Sequence, residues 1–217
     1  MFVGHYAAAL AARTVEPRGP LWTYVAACQL VDIGWSGLIM TGAEKFSINP
    51  DLPGSPLELY HMPFTHSLPA ALAWSLAAAL LVRGLMRLPW WTAAMVGLVV
   101  FSHWGLDVLV HRPDLELWFG GDKVGLGWWN YPVPEATLEM GLLAAAGAAW
   151  GWKRAKEGLS VWPVAGFLLL LTGIQIASKV TPPAADPVAM GGMALGLYLL
   201  ITAVAWLVER RAGKVAV

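Results

Sequence analysis

Apolar positions fall into six long runs: Leu21–Met40, His66–Val82, Pro89–Val110, Ala136–Trp152, Val161–Ala177 and Val188–Val208. Each approaches the roughly 20 helical residues needed to cross a bilayer. A shorter apolar stretch, Phe2–Ala12, precedes them and is too short to span, so it reads as a half-helix or re-entrant segment. Two connections are long, Thr41–Thr65 and His111–Glu135, and both hold Pro, Gly and acidic residues. Long connections without secondary structure of their own tend to be functional. No internal repeat, low-complexity tract or linker divides the chain. The pattern predicts an all-α fold, a polytopic membrane helix bundle of about six transmembrane helices plus the short N-terminal half-helix. It forms one membrane domain over residues 1–217.

Composition agrees. Apolar residues make up 58% of the 217 and charged residues 13%, against about 25% charged in a soluble domain. Mean hydropathy is +0.59. The net charge is zero and no basic patch stands out, so a nucleic-acid partner is not expected. One cysteine, Cys28, excludes a disulfide scaffold and reads as a small buried apolar residue. The N-terminus lacks a basic start before its first apolar stretch, so no cleavable signal is expected.

Orientation follows from Lys and Arg. With the Arg13–Pro20 connection inside, the inner side receives Arg13, Arg18, Arg83, Arg87, Lys153, Arg154, Lys156, Arg210, Arg211 and Lys214. The outer side receives Lys45, Arg112, Lys123 and Lys179. Trp22, Trp90, Trp91, Trp150, Trp152, Trp162 and Trp206 fall near the inner ends, as an interfacial belt would. Both long connections then lie outside.

An ionisable side chain at bilayer depth costs a few kcal/mol, so each needs a reason. Asp32 lies in the first full span, His103 and Asp107 in the third, and Glu139 in the fourth with Glu135 at its start. His5 is in the N-terminal helix, His61 and His66 precede the second span, and His111 and Arg112 follow the third. His103 and Asp107 are four apart and share a helix face, with His111 four further on before Pro113 stops the helix. Such a pair suits two ligands of one metal ion, or equally a His–Asp contact gluing helices. In His61-Met-Pro-Phe-Thr-His66-Ser, Pro63 prevents one regular helix. Thr65 is positioned to cap the second span, with Pro69 in its first turn. The segment is either an interfacial loop with solvated histidines or a turn aiming both imidazoles at one point.

Depth favours convergence. His5 and Asp32 flank the Pro17–Pro20 turn at similar sequence distance, so both rise about 18 Å from it. His103 and Asp107 fall at a similar depth when the third span is measured from Pro89. The fifth and sixth spans hold only Gln175 and small hydroxyls between their ends. Residues 1–145 thus read as the half carrying the metal site and 146–217 as scaffold helices.

His5, Asp32, His61-x-x-x-Thr65-His66-Ser67 and Ser102-His103-x-x-x-Asp107 together resemble the YdjM-like family, small bacterial inner-membrane proteins described as metal-dependent hydrolases. The resemblance covers roughly residues 1–145. Met62 and Pro63 stand where that family carries Arg and Gly, and Asp32 lacks a second nearby Asp, which marks a divergent member. The resemblance implies metal ligation by His5, Asp32, His61, His66, His103 and Asp107.

The expected function is a membrane-embedded, metal-dependent hydrolase with its site toward the extracytoplasmic side of the inner membrane. Its divalent ion would be zinc, which lowers the pKa of a bound water. His111 or Glu135 would move protons, and Arg112 would stabilise an anionic substrate or transition state. A site at the outer interface of the lipid bilayer points to an amphiphilic substrate, a lipid or a lipid-linked phosphoester. The alternatives are an ion- or proton-coupled transporter, and a non-catalytic membrane protein with a structural metal.

Overall fold

A computed structural model describes residues 1–212, with side chains described to Glu209. Lys214 lies outside the described residues, and the side chains of Arg210 and Arg211 are likewise not described. Eight helices and two small hairpins make up the described chain.

The first apolar run is not one helix. It forms α2 (Leu21–Cys28) and α3 (Leu30–Met40), after the short N-terminal helix α1 (His5–Val15). The break falls at Gln29, whose backbone (φ −113°, ψ 7°) leaves the α-helical range. Each half is too short to cross a bilayer. The fourth run is α6 (Pro132–Lys156), with Glu135 in its first turn and Lys153, Arg154 and Lys156 in its last. It is long enough to cross, but not apolar enough. Four helices meet both conditions: α4 (Leu68–Leu85), α5 (Trp90–Val110), α7 (Trp162–Val180) and α8 (Pro187–Ala212). Four of the six expected spans are thus continuous helices long and apolar enough to cross, and the other two differ because apolar runs do not reveal a local break or a polar helix face.

Helix α1 packs against α2, α5 and α6, and α2 against α5 and α8. Tyr6, Leu10, Leu21, Tyr24 and Val25 are fully enclosed. The half-helix is thus buried within the bundle. Helix α4 lies on α5, and α7 contacts both α6 and α8. The turn between α1 and α2 is closed by Glu16, which accepts two hydrogen bonds of 2.7 Å from the Arg18 guanidinium, while Tyr24 Oη donates to its carbonyl. Those Arg18 bonds, more than any other cause, hold the Glu16 carboxyl down at about 2.

Local chemistry sets the helix starts. The cap of α4 is Ser67 rather than Thr65: Ser67 Oγ accepts from Ala70 N–H at 3.2 Å, with a proline in the first turn. Asp186 accepts from Ala189 N–H at 2.7 Å and caps α8. The two long connections do carry secondary structure. One holds the antiparallel pair β1 (Lys45–Ile48) and β2 (Leu57–His61), the other β3 (Leu115–Glu116) and β4 (Lys123–Val124).

Gly97 sets the approach of α4 and α5. A Cβ there would stand 2.9 Å from the Ser75 carbonyl oxygen and 3.2 Å from Ala79 Cβ. Gly97→Ala must push the two helices apart, and overpacking of this kind costs about 1–3 kcal/mol. Thermal unfolding in detergent should show a lowered Tm for Gly97→Ala. Gly105→Ala, on the same helix with open space around the added methyl, should melt like the wild type.

Candidate metal centre

Six ionisable side chains from four segments meet at one buried point. The break at Gln29 brings Asp32 there and also leaves the Cys28 carbonyl available. Helix α5 brings His103 and, one turn later, Asp107. His111 follows at the residue where α5 has just ended. His66 stands between β2 and α4, and His5 opens α1.

Asp107 is the hub. Its Oδ1 lies 3.2 Å from His5 Nε2 and 3.4 Å from His111 Nε2, and its Oδ2 lies 3.1 Å from His103 Nε2 and 3.7 Å from His66 Nε2. Asp32 Oδ1 sits 3.4 Å from His66 Nε2 and 3.5 Å from His103 Nε2. The main-chain nitrogen of Met1 donates to Asp107 Oδ1 at 2.6 Å. The rings of His5 and His103 are stacked, with centroids 3.7 Å apart.

For three of the four imidazoles, the partner of the other ring nitrogen fixes the tautomer. His103 Nδ1–H donates to the Cys28 carbonyl at 2.7 Å. His111 Nδ1–H donates to Asp114 Oδ1 at 2.9 Å. The Thr65 hydroxyl donates to Glu44 Oε2 at 2.7 Å, so its oxygen can only accept, and His66 Nδ1–H donates to it at 2.7 Å. Glu44 is anchored in turn by the Phe64 and Thr65 N–H groups. The network therefore assigns the proton of all three rings to Nδ1 and turns each Nε2 lone pair toward carboxylate oxygens that also carry only lone pairs. Such an arrangement repels itself unless a cation or protons stand between the donors.

The donor set fits a metal ion. His5 Nε2 and His103 Nε2 are buried and have no hydrogen-bond partner among the described residues. Two overlapping triads, His5–His103–Asp107 and Asp32–His66–His103, each hold their donor atoms within 4.8 Å of one another, and these buried groups could hold a metal. With bonds of about 2.0–2.1 Å, neighbouring ligands of a tetrahedral or octahedral ion stand roughly 3.0–3.4 Å apart. Most of the Nε2–oxygen separations lie near that range.

Other expected residues fall elsewhere. His61 ends β2, is exposed, and belongs to neither triad. It pairs with Lys45 of β1 in the hairpin. Arg112 spans the two long connections, donating to Asn130 Oδ1 and to the carbonyls of Pro53, Ser55 and Leu57. Burial lowers its pKa, and Asp114 and Glu58 oppose the shift. Its donors are spent on loop carbonyls, so it serves as a staple between the loops. His111 lies inside the cluster rather than beside it. Glu135 is buried and pairs with Lys179 at 3.0 Å. Glu139 accepts from the Phe2 and Gly4 N–H groups at 2.9 and 3.0 Å, which ties the N-terminal segment to α6.

A cavity of about 1060 Å³ opens from the cluster, lined on that side by Asp32, His66, Asp107 and His111 with Glu135 and Glu139. Its opposite side belongs to α7 and α8. Tyr198 Oη of α8 donates to Asp32 Oδ2 at 3.1 Å. The half expected as scaffold alone thus contributes directly to the site. Sequence reasoning missed Glu44, Tyr198 and Lys179. Glu44 and Lys179 lie at element ends, and nothing in the periodicity of α8 distinguishes Tyr198.

Site-resolved nitrogen NMR of histidine-labelled protein should find the neutral rings of His66, His103 and His111 protonated at Nδ1. Thr65→Val should release His66 alone from that state. A wild-type His66 protonated at Nε2 would contradict the network.

The model of the family described as YdjM inner membrane protein matches residues 1–208, well beyond the 1–145 suggested by the motifs. No curated protein and no solved structure matches the chain. With nearly the whole chain matched and membrane-spanning helices present, this is an inner-membrane protein belonging to the YdjM family.

Proposed function

We propose that the chain is a metal-dependent hydrolase of the membrane, acting on a lipid or lipid-linked phosphoester near the outer interface. One observation carries this reading: imidazole Nε2 lone pairs and two carboxylates converge on one buried point that lines a large cavity. Packing glue between helices needs one His–Asp contact, whereas this cluster joins four imidazoles to a single carboxylate.

His5, His66, His103, His111, Asp32 and Asp107 would hold the metal. Zinc suits a mixed imidazole–carboxylate set. When bound, such an ion supplies a water acidic enough to attack near neutral pH and polarises the scissile ester or phosphoryl oxygen. The Cys28 carbonyl, Thr65 with Glu44, and Asp114 orient the rings through their Nδ1–H groups, and such outer partners normally weigh 10–100-fold in metal affinity or activity. Glu135, buried beside the cavity and paired with Lys179, is the proton carrier of this reading. Lys179 takes over the anion-stabilising part first given to Arg112. Transport is less favoured, because the ionisable groups gather at one point instead of marking a path through the bundle.

The test is metal analysis of the purified full chain. The wild type should retain a divalent ion, and chelation should lower its Tm. Asp107→Ala and His103→Ala should each lose at least about 100-fold in metal affinity through loss of a ligand. A metal-free wild type whose stability ignores both chelator and added zinc would end the reading.

A further inference from the structure

Beyond the cluster, the cavity runs between α7 and α8. Ile174, Met190, Met193, Leu197 and Leu200 line this part. Met193 and Leu200 of α8 are 62% and 58% exposed, so the lining continues onto the exposed face of a helix apolar enough to span a bilayer. The cavity therefore has a buried polar end at the cluster and an apolar side open toward hydrocarbon. Its volume is at the top of the roughly 300–1,000 Å³ common for small-molecule sites.

Two polar side chains in the lining have unmet capacity. Trp35 of α3 is 5% exposed and Gln175 of α7 is 4% exposed. The Trp35 Nε1–H and both amide atoms of Gln175 are buried without a hydrogen-bond partner among the described residues. Native proteins rarely leave such buried groups unpaired without a reason. Trp35 can only donate and Gln175 can both donate and accept. Together they suit ester or phosphoryl oxygens. Lys179 lines the same cavity.

We infer that this cavity seats one membrane phospholipid. One hydrocarbon tail lies in the cleft between α7 and α8, and Trp35 Nε1 and the Gln175 amide bind the oxygens of its polar linkage beside the histidine–aspartate cluster. The two-ended character of the cavity selects an amphiphile over a free phosphate, and its opening onto the lipid-facing surface gives that amphiphile a lateral way in. The seat rests on the hydrolase reading only for what becomes of the lipid once bound.

The experiment reconstitutes the full chain in vesicles of phosphatidylethanolamine and phosphatidylglycerol. A trace of phosphatidylglycerol carries a photoreactive diazirine at the end of one tail. Irradiation should label the wild type within residues 174–200. Leu197→Trp, which fills the cleft, should lose that label. Gln175→Leu removes an unpartnered amide and should fold at least as stably as the wild type. It should need about tenfold more of the labelled lipid to reach the same occupancy, the loss expected from one hydrogen bond. Label scattered over the outer faces of α4 and α5, or a Gln175→Leu protein labelled like the wild type, would overturn the seat. So would glycerol phosphate displacing the label as well as the intact lipid does. Metal content measured on the same samples separates the two readings: label in the cleft of a chain that binds no metal leaves the seat and removes the hydrolase, and a metal-loaded chain with scattered label does the reverse.

Discussion

The carboxylate of Asp107 is enclosed in an apolar bundle, and most of the central architecture answers the need to compensate it. A charge at that depth is expensive unless paired or coordinated. Four imidazoles and the Met1 nitrogen surround its two oxygens. To supply them, a short helix is buried at the centre, a second helix is interrupted, and a long connection folds back over the end of α5. Glu139 holds the N-terminal segment against α6, which is what keeps His5 next to α5.

The interruption at Gln29 shows how a local departure serves the site. An unbroken helix would use the Cys28 carbonyl for its own ladder at Asp32. The break leaves that carbonyl to His103. The same break shortens both halves below membrane-crossing length. Local geometry at the cluster thus takes precedence over a regular span.

Much of this was legible in the sequence. Spacing alone put His103, Asp107 and His111 on one stripe, and counting residues back from the Pro17–Pro20 turn brought His5 and Asp32 to a similar depth. The helix break was not legible, since Cys28-Gln29-Leu30 has no proline or glycine and lies in a continuous apolar run. His61 looked equivalent to His66 because strand pairing, which exposes it, depends on a partner strand 13 residues away or more. Gln175 was visible only as the one amide in an apolar helix. Its meaning depends on the cavity beside it, and cavities are a property of packing rather than of pattern.

The most direct measurement of the proposed centre is X-ray absorption at the metal edge of the zinc-loaded, detergent-purified chain. The account predicts a mixed nitrogen and oxygen shell at about 2.0–2.1 Å, with the outer-shell scattering that several imidazoles produce. A shell of oxygen alone without imidazole scattering, or sulfur scattering from Cys28, would contradict it.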